Sequence, residues 1–100
     1  MDSSLNNVSL EKLNYLADLF KVFGDLTRLR IMRELFDGPI SVGQIAKNLE
    51  MSQSAISHQL KYLKDANLVK SNRNGKSIFY ELADDHVKII FKTGIDHINE

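Results

Sequence analysis

The amino-acid sequence predicts a mainly α-helical domain that carries one small β-hairpin. Apolar residues recur at helical spacing in four segments between residues 9 and 66, and again after residue 84. Between these regions the spacing changes to the alternation typical of strands, on both sides of Asn74-Gly75. A chain of 100 residues has the size of one domain. We therefore expect residues 1–100 to form one domain with the element order α-α-α-α-β-β-α.

The first two helices are predicted from apolar spacing and from the residues that bound it. A first helix should run from about Ser9 to Phe23, where Gly24 stops it. Asp25 can cap a second helix, because its carboxylate can accept the free N–H groups of the first turn. Gly38-Pro39 is expected to end this second helix.

Two shorter helices should follow, joined by a tight turn. Ser41 and Gln44 form a capping-box pattern that opens a helix reaching Leu49. Ser52 is a good N-cap for a fourth helix, which should run from Gln53 to about Ala66.

The chain then changes to strands and returns to a helix. Segments 69–73 and 77–82 should pair as a hairpin around Asn74-Gly75, because both residues tolerate positive φ. A final helix is expected from Asp84, with Asp84 or Asp85 as its N-cap.

A helix pair followed by a basic hairpin is typical of a winged helix-turn-helix, whose second helix enters the major groove of DNA. Ala46 is small enough to let the pair approach, and Ile56 should pack beneath it. The fourth helix and the hairpin tip carry side chains that can reach base edges and phosphates. These candidate DNA-binding residues are Gln53, Ser54, Ser57, His58, Lys61, Lys64, Arg73 and Lys76.

The distribution of charge supports a nucleic-acid partner, although the chain has no net charge. Residues 41–80 carry six basic and two acidic groups, a net charge of +4. Residues 1–40 carry five and six (−1), and residues 81–100 carry two and five (−3). Each lysine alone could be an ordinary solvated charge, but their grouping in one segment favours contact with phosphate.

The last helix carries candidate metal ligands near both ends. At about 100° per residue, His86, His97 and Glu100 fall on one face, and Asp84 can join them from the N-cap. His86 and His97 lie roughly 16 Å apart along the axis, whereas zinc ligands lie about 2 Å from the ion. Two antiparallel copies of the helix would bring opposite ends together. The spacing thus suggests a homodimer with two shared metal sites, but it equally fits capping aspartates and a solvated polar face.

Several classes of protein and site are disfavoured. The sequence has no cysteine, so disulfides and thiolate metal sites are excluded. It has no apolar run that would span a membrane and no signal peptide, so we expect a cytoplasmic protein. It also lacks a glycine-rich phosphate loop and a nucleophile beside a base, so we do not expect an enzyme.

Four parts of the sequence form a recognisable pattern: Phe23-Gly24-Asp25-x-Thr27-Arg28-x-Arg30-Ile31, Ser41-Val42-Gly43-x-Ile45-Ala46, Ser52-Gln53-Ser54-x-x-Ser57-His58-x-Leu60-x-x-Leu63 and the Gly75 hairpin. With these stretches in this order, the chain resembles the ArsR/SmtB family of bacterial metal-responsive repressors along nearly its whole length. The resemblance implies a dimer that binds palindromic operator DNA without metal and is released by metal. Cys-x-Cys, found in the thiolate-binding subgroup, is absent here, whereas the zinc-binding subgroup has its ligands on the terminal helix.

The resemblance to the zinc-binding subgroup identifies Asp84-x-His86 and His97-x-x-Glu100 as the expected ligands of Zn²⁺, with Co²⁺ as a possible substitute. It also implies a hydrogen bond from metal-bound His97 to a main-chain carbonyl after the recognition helix, at Asn67. Two alternatives stay open. One is a regulator of the same family that responds to a non-metal signal or to no effector, and the other is a protein-interaction module that no longer reads DNA.

Overall fold

The computed structural model describes residues 3–100, with side chains from Leu5 onward. Five α-helices and a three-stranded antiparallel sheet make up this part of the chain, in agreement with the predicted fold class. The elements are a 3-10 turn at Ser3–Asn7, α1 (Leu10–Phe23), α2 (Leu26–Glu34), β1 (Ile40–Ser41), α3 (Val42–Leu49), α4 (Gln53–Asp65), β2 (Val69–Asn74), β3 (Ser77–Leu82) and α5 (Asp85–Ile98).

Every predicted N-cap is confirmed, and this explains why the helices begin where they do. In each helix the capping side chain accepts a backbone N–H from the first turn, which would otherwise lack a partner. The predicted caps of α2 to α5 are, in order, Asp25, Ser41, Ser52 and Asp84. Ser9, which was predicted only as the approximate start of the first helix, is the cap of α1.

The end of α2 differs from the prediction. The helix ends at Glu34, before Gly38-Pro39, because Leu35 donates its N–H to the carbonyl of Met32 at 3.0 Å and Phe36 donates to Arg33 at 3.3 Å. These three-residue bonds tighten the last turn and stop the α-helical pattern. The chain is thereby turned so that the Phe36 ring packs edge-on against Phe91 of α5, with centroids 4.8 Å apart.

The two helices of the helix-turn-helix end in the same way. Glu50, after α3, and Asn67, after α4, have left-handed backbone, with φ of 55° and 61°. Met51 donates its N–H to the Ala46 carbonyl at 3.0 Å, and Leu68 donates to Leu63 at 2.9 Å. These are the six-to-one bonds of a Schellman motif, in which a left-handed residue closes the helix.

The sheet contains a strand that was not predicted. β1 pairs antiparallel with β3, placing Ile40 opposite Tyr80, so the sheet has the order β1-β3-β2. The hairpin turn is also displaced by one residue, because Asn74 pairs with Ser77 and the two turn residues are Gly75 and Lys76. Gly75 has φ of 65°, which fits a two-residue turn with glycine in first position.

The hydrophobic core lies between α2, α3, α4 and the base of the sheet. Ala46 and Ile56 are both buried, which confirms the predicted close packing of α3 against α4. α1 and α5 contribute one buried residue each, Val22 and Val87. The remaining core residues are Ile31, Met32, Leu35, Ile45, Leu49, Leu60, Leu63, Leu68, Val69 and Leu82.

Candidate DNA interface and metal ligands

The exposed face of α4 is set by the residues that the helix buries. Ile56, Leu60 and Leu63 are fully buried and fix the rotation of the helix about its axis. The predicted DNA-contacting side chains of α4 are all exposed, as a recognition helix requires. They are Gln53, Ser54, Ser57, His58, Lys61 and Lys64.

The hairpin of β2 and β3, here named the wing, places its basic residues beside α4. Arg73 and Lys76 are exposed near its tip. A cleft of about 390 Å³ separates the wing from the helix pair, and its lining includes Gln53, Ser57 and Lys76. Three of the eight predicted DNA-binding residues therefore face one shared space. Gly43 lies on the same cleft, and a Cβ built on it would lie 3.5 Å from Nε2 of Gln53.

Two lysines of α4 make contacts within the chain. The ammonium group of Lys64 donates to the hydroxyl oxygen of Ser71, on the wing, at 2.7 Å. Nζ of Lys61 lies 3.3 Å from Oδ2 of Asp65, in an exposed ion pair. Exposed ion pairs of this kind contribute little to the stability of the fold. Lys61 can therefore exchange its partner for a phosphate at small cost.

The first pair of candidate metal ligands lies at the beginning of α5. Oδ1 of Asp84 accepts the backbone N–H of His86 at 2.8 Å, as an N-cap does. The same oxygen lies 3.4 Å from Nδ1 of His86. The predicted approach of Asp84 to His86 from the cap position is therefore confirmed, and both side chains are exposed.

The second pair lies at the other end of the same helix. Nδ1 of His97 lies 3.0 Å from Oε2 of Glu100, and both side chains are exposed. Within residues 3–100, no three or more His, Asp, Glu or Cys side chains of the one chain are arranged to hold a metal ion. The structure thus gathers the four candidate ligands as two separate pairs, one at each end of the 14-residue helix α5.

Asn67 is the left-handed residue that follows the C-terminal end of α4, the recognition helix. It is exposed, and its N–H donates to the carbonyl of Lys64 at 2.9 Å. Because its backbone is left-handed, it directs the chain from α4 into the buried Leu68 and the wing. A displacement of the main chain at Asn67 would therefore move the C-terminal end of α4, the helix whose exposed face carries the predicted base-reading residues.

α1 and α5 carry large apolar side chains that are exposed in the single chain. Phe20, Ile89, Ile90 and His97 line a cleft of about 450 Å³ on this surface. The exposed members are Leu10, Leu13, Leu16 and Phe20 on α1, and Ile89, Ile95 and Ile98 on α5. We call these seven residues the apolar face.

Comparison with known proteins decides the family. The model of a bacterial regulatory protein family, the arsR family, matches residues 25–71. The transcriptional repressor SmtB homolog of Synechocystis sp. is 37% identical over 93 residues, which are 93% of this chain and 70% of that protein. The chain belongs to the ArsR family. Its resemblance to the ArsR/SmtB repressors is thereby confirmed, and it is a DNA-binding regulator of transcription rather than an enzyme.

Solved structures of similar proteins have the same fold. The homodimeric winged helix-turn-helix DNA-binding domain of Mb0332 from Mycobacterium bovis is 28% identical, with a TM-score of 0.84, over 90% of this chain and 83% of that one. The antimony-specific transcriptional repressor AntR is 29% identical, with a TM-score of 0.80, over 99% of this chain and 93% of that one.

The family match has a defined extent within the fold. Residues 25–71 run from the cap of α2 into β2, and so include the whole helix-turn-helix. α5, which carries the candidate metal ligands, lies beyond them. None of the helices within residues 3–100 combines the length and apolar character needed to cross a bilayer.

Two functional features were not found by reasoning from the sequence. β1 ties the start of α3 to the wing, but two residues are too few to produce a strand period. Arg28 and Arg30 were noted only as parts of a motif, whereas Arg30 donates to the Leu49 carbonyl at 3.5 Å. Contacts between residues far apart in the chain leave no local signal.

Proposed function

We propose that the chain is a zinc-responsive transcriptional repressor that acts as a homodimer in the cytoplasm. Without metal the dimer binds a palindromic operator, and zinc bound between the α5 helices of two protomers releases it. The observation that carries the proposal is the pairing of imidazole with carboxylate at each end of α5, at 3.4 Å and 3.0 Å.

DNA binding is supported by the exposed polar face of α4 and the basic wing beside it. The face offers an amide at Gln53 and hydroxyls at Ser54 and Ser57, which can reach base edges. The four basic residues of the candidate interface can contact phosphates, which position the protein without reading sequence. We propose all eight predicted residues as the contact surface.

Dimerisation is supported by the apolar face. Contiguous exposed apolar surface of this kind marks an interaction site in soluble proteins. A two-fold axis that lies beside α5 and perpendicular to it would bury this surface against itself, as isologous interfaces do. It would also run the two α5 helices antiparallel. The homodimeric state of the Mb0332 domain supports dimerisation of this fold.

The metal site follows from that antiparallel arrangement. Asp84 and His86 of one protomer would lie opposite the partner's His97 and Glu100, giving two nitrogen and two oxygen donors at each of two sites. Four such donors suit tetrahedral zinc, with cobalt(II) as a substitute. The absence of cysteine from the sequence leaves no thiolate for a softer metal.

The link from the metal site to DNA runs through His97. A metal-bound imidazole has its other ring nitrogen as an N–H donor, which needs an acceptor. We propose the main-chain carbonyl of Asn67 as that acceptor. A hydrogen bond there would hold the ends of the recognition helices at a spacing unsuited to half-sites one helical turn apart.

Zinc titration of the purified protein tests the proposal, with and without a palindromic duplex selected by the protein from a pool of randomised inverted repeats. We expect one zinc per chain, a tetrahedral cobalt spectrum, and weaker DNA binding when zinc is present. Coupling is reciprocal, so the duplex must weaken zinc binding by the same factor. DNA binding without saturable zinc binding would contradict the zinc proposal and indicate a regulator of this family with another effector.

A further inference from the structure

Arg28, in the first turn of α2, contacts two helices to which it does not belong. Its Nη1 donates to the carbonyl of Val22, in the last turn of α1, at 3.3 Å. Its Nε donates to Oε1 of Gln59, on α4, also at 3.3 Å. The guanidinium carbon lies 4.0 Å from the centroid of the Tyr62 ring, one turn further along α4. One half-buried side chain therefore connects α1, α2 and the recognition helix.

The chemistry of arginine suits all three contacts at once. The Val22 carbonyl lies among the last four of its helix, which have no partner within the helix and favour a nearby cation. The planar guanidinium can stack on Tyr62 while its edges donate in fixed directions. Lysine keeps the charge but has no planar fork, so it cannot reproduce this geometry.

Besides the Arg28 contact, α1 is held on the domain near its C-terminal end, where Leu19 and Phe23 pack against the core. Val22 is its one buried residue, and only Gly24 and Asp25 separate it from α2. A helix of its length spans about 21 Å. A rotation of about 10° at its base would thus move the far end by roughly 4 Å, which is close to the rise of one base pair. A small change at Arg28 is therefore large enough to alter the register of a dimer on DNA.

We propose that Arg28 is a positioning residue that fixes the angle between α1 and the recognition helix, and so sets the half-site spacing that the dimer accepts. The proposal rests on the proposed DNA-binding homodimer, in which α1 belongs to the interface. Arg28 acts through the orientation of α4 and not through contact with DNA.

The test compares Arg28→Met and Arg28→Lys with wild type on the selected palindrome and on duplexes with one base pair inserted or removed between the half-sites. For wild type, the altered duplexes should bind more weakly. We compare the Kd for each altered duplex with the Kd for the selected palindrome. In both variants the ratio of these two constants should fall by about fivefold or more. Arg33→Met, at an exposed position of the same helix, should leave the ratio unchanged.

A purely structural role would give a different result. If Arg28 only stabilised the fold, its substitution would weaken binding to all three duplexes by the same factor and leave the ratio unchanged. That result would overturn the proposal. If Arg28→Met fails to fold, Gln59→Met removes one partner and leaves the guanidinium in place. That variant must then show the reduced ratio, and an unchanged ratio there would equally overturn the proposal.

A measurement without DNA separates this proposal from the proposed function. The sequence has no cysteine, so Lys47→Cys on α3 allows one spin label per protomer. The distance distribution between the two labels should be narrow in the labelled Lys47→Cys protein and broader when Arg28→Met is added to it. Equal widths would contradict the role of Arg28, whereas the absence of any dipolar signal from the labelled Lys47→Cys protein would contradict the homodimer itself.

Discussion

One carboxylate oxygen of Asp84 contacts both the backbone and the imidazole of His86. Oδ1 accepts the backbone N–H of His86 at 2.8 Å and lies 3.4 Å from Nδ1 of its ring. A capping role and a metal-binding role thus fall on one carboxylate. The two roles have different chemical requirements. A cap needs any short side-chain acceptor, whereas zinc is bound by the charged carboxylate.

Substitution of Asp84 separates these two roles. Asp84→Asn keeps the cap, so the free energy of unfolding without metal should change by less than about 0.5 kcal/mol, while zinc affinity falls at least tenfold. Asp84→Ala should lose about 1 kcal/mol of stability as well. Denaturant unfolding and competitive zinc titration measure the two effects.

Asp85→Asn is the matched control for this pair, since Asp85 is an exposed acidic residue of the same turn and is not a proposed ligand. It should leave zinc affinity within about twofold of wild type. Unchanged zinc binding by Asp84→Asn would remove Asp84 from the ligand set and leave it as a cap.

Substitution of His97 tests the coupling between metal and DNA. His97→Ala should bind the selected palindrome as wild type does but fail to release it with zinc, because the variant loses both a ligand and the donor to Asn67. In wild type we expect zinc to lower DNA affinity by between about 5-fold and 150-fold, the usual range of allosteric coupling. Fluorescence anisotropy at fixed salt measures both affinities.

His58→Ala provides a histidine control on the recognition helix. It should weaken DNA binding and keep one zinc per chain, because His58 is exposed on α4 and is not a proposed ligand. If zinc still released His97→Ala from DNA, the assignment of His97 would be wrong, whatever the control does.

The local parts of the fold could be predicted from the sequence, whereas its long-range contacts could not. The N-caps of α2 to α5 were predicted because a capping oxygen and the backbone N–H that it accepts are only two or three residues apart. β1 was missed because its partner Tyr80 lies forty residues away from Ile40 and a two-residue strand has no period. The Asn-Gly dipeptide marked the hairpin but did not fix its register, which the sheet pairing shifted by one residue.

The same distinction applies to the candidate site. The two members of each ligand pair are only two or three positions apart in the chain, so their proximity follows from local geometry. The exposed face of α4 follows from the buried stripe of Ile56, Leu60 and Leu63. The contact of Arg28 with Gln59 joins residues 31 apart, and only the packing of α2 against α4 creates it.

The salt dependence of DNA binding tests the basic wing. Lys76→Met should reduce the slope of log K against log salt by about one, because one phosphate contact fewer releases about one counterion fewer. Lys88→Met, at an exposed position of α5 that is not a predicted DNA contact, should leave the slope unchanged. Anisotropy titrations at several salt concentrations give both slopes, and equal slopes for the two variants would exclude Lys76 from contact with phosphate.

The left-handed residue between α3 and α4 offers a test of the helix-turn-helix that does not depend on any ligand. Glu50 has φ of 55° and ψ of 46°, a conformation that costs most L-residues about 1–2 kcal/mol. Glycine adopts it without strain but loses about 0.4–1 kcal/mol through the greater freedom of the unfolded chain. Glu50→Gly should therefore raise the free energy of unfolding by roughly 0.5–1 kcal/mol.

Asn67 gives the matched comparison, because its backbone is equally left-handed, with φ of 61°. Asparagine tolerates this conformation better than glutamate does, so Asn67→Gly should change stability by less than about 0.5 kcal/mol. Denaturant unfolding at one fixed protein concentration measures both variants, since the stability of a dimer depends on concentration. A Glu50→Gly variant less stable than wild type would mean that the glutamate side chain makes a contribution larger than the strain of its backbone.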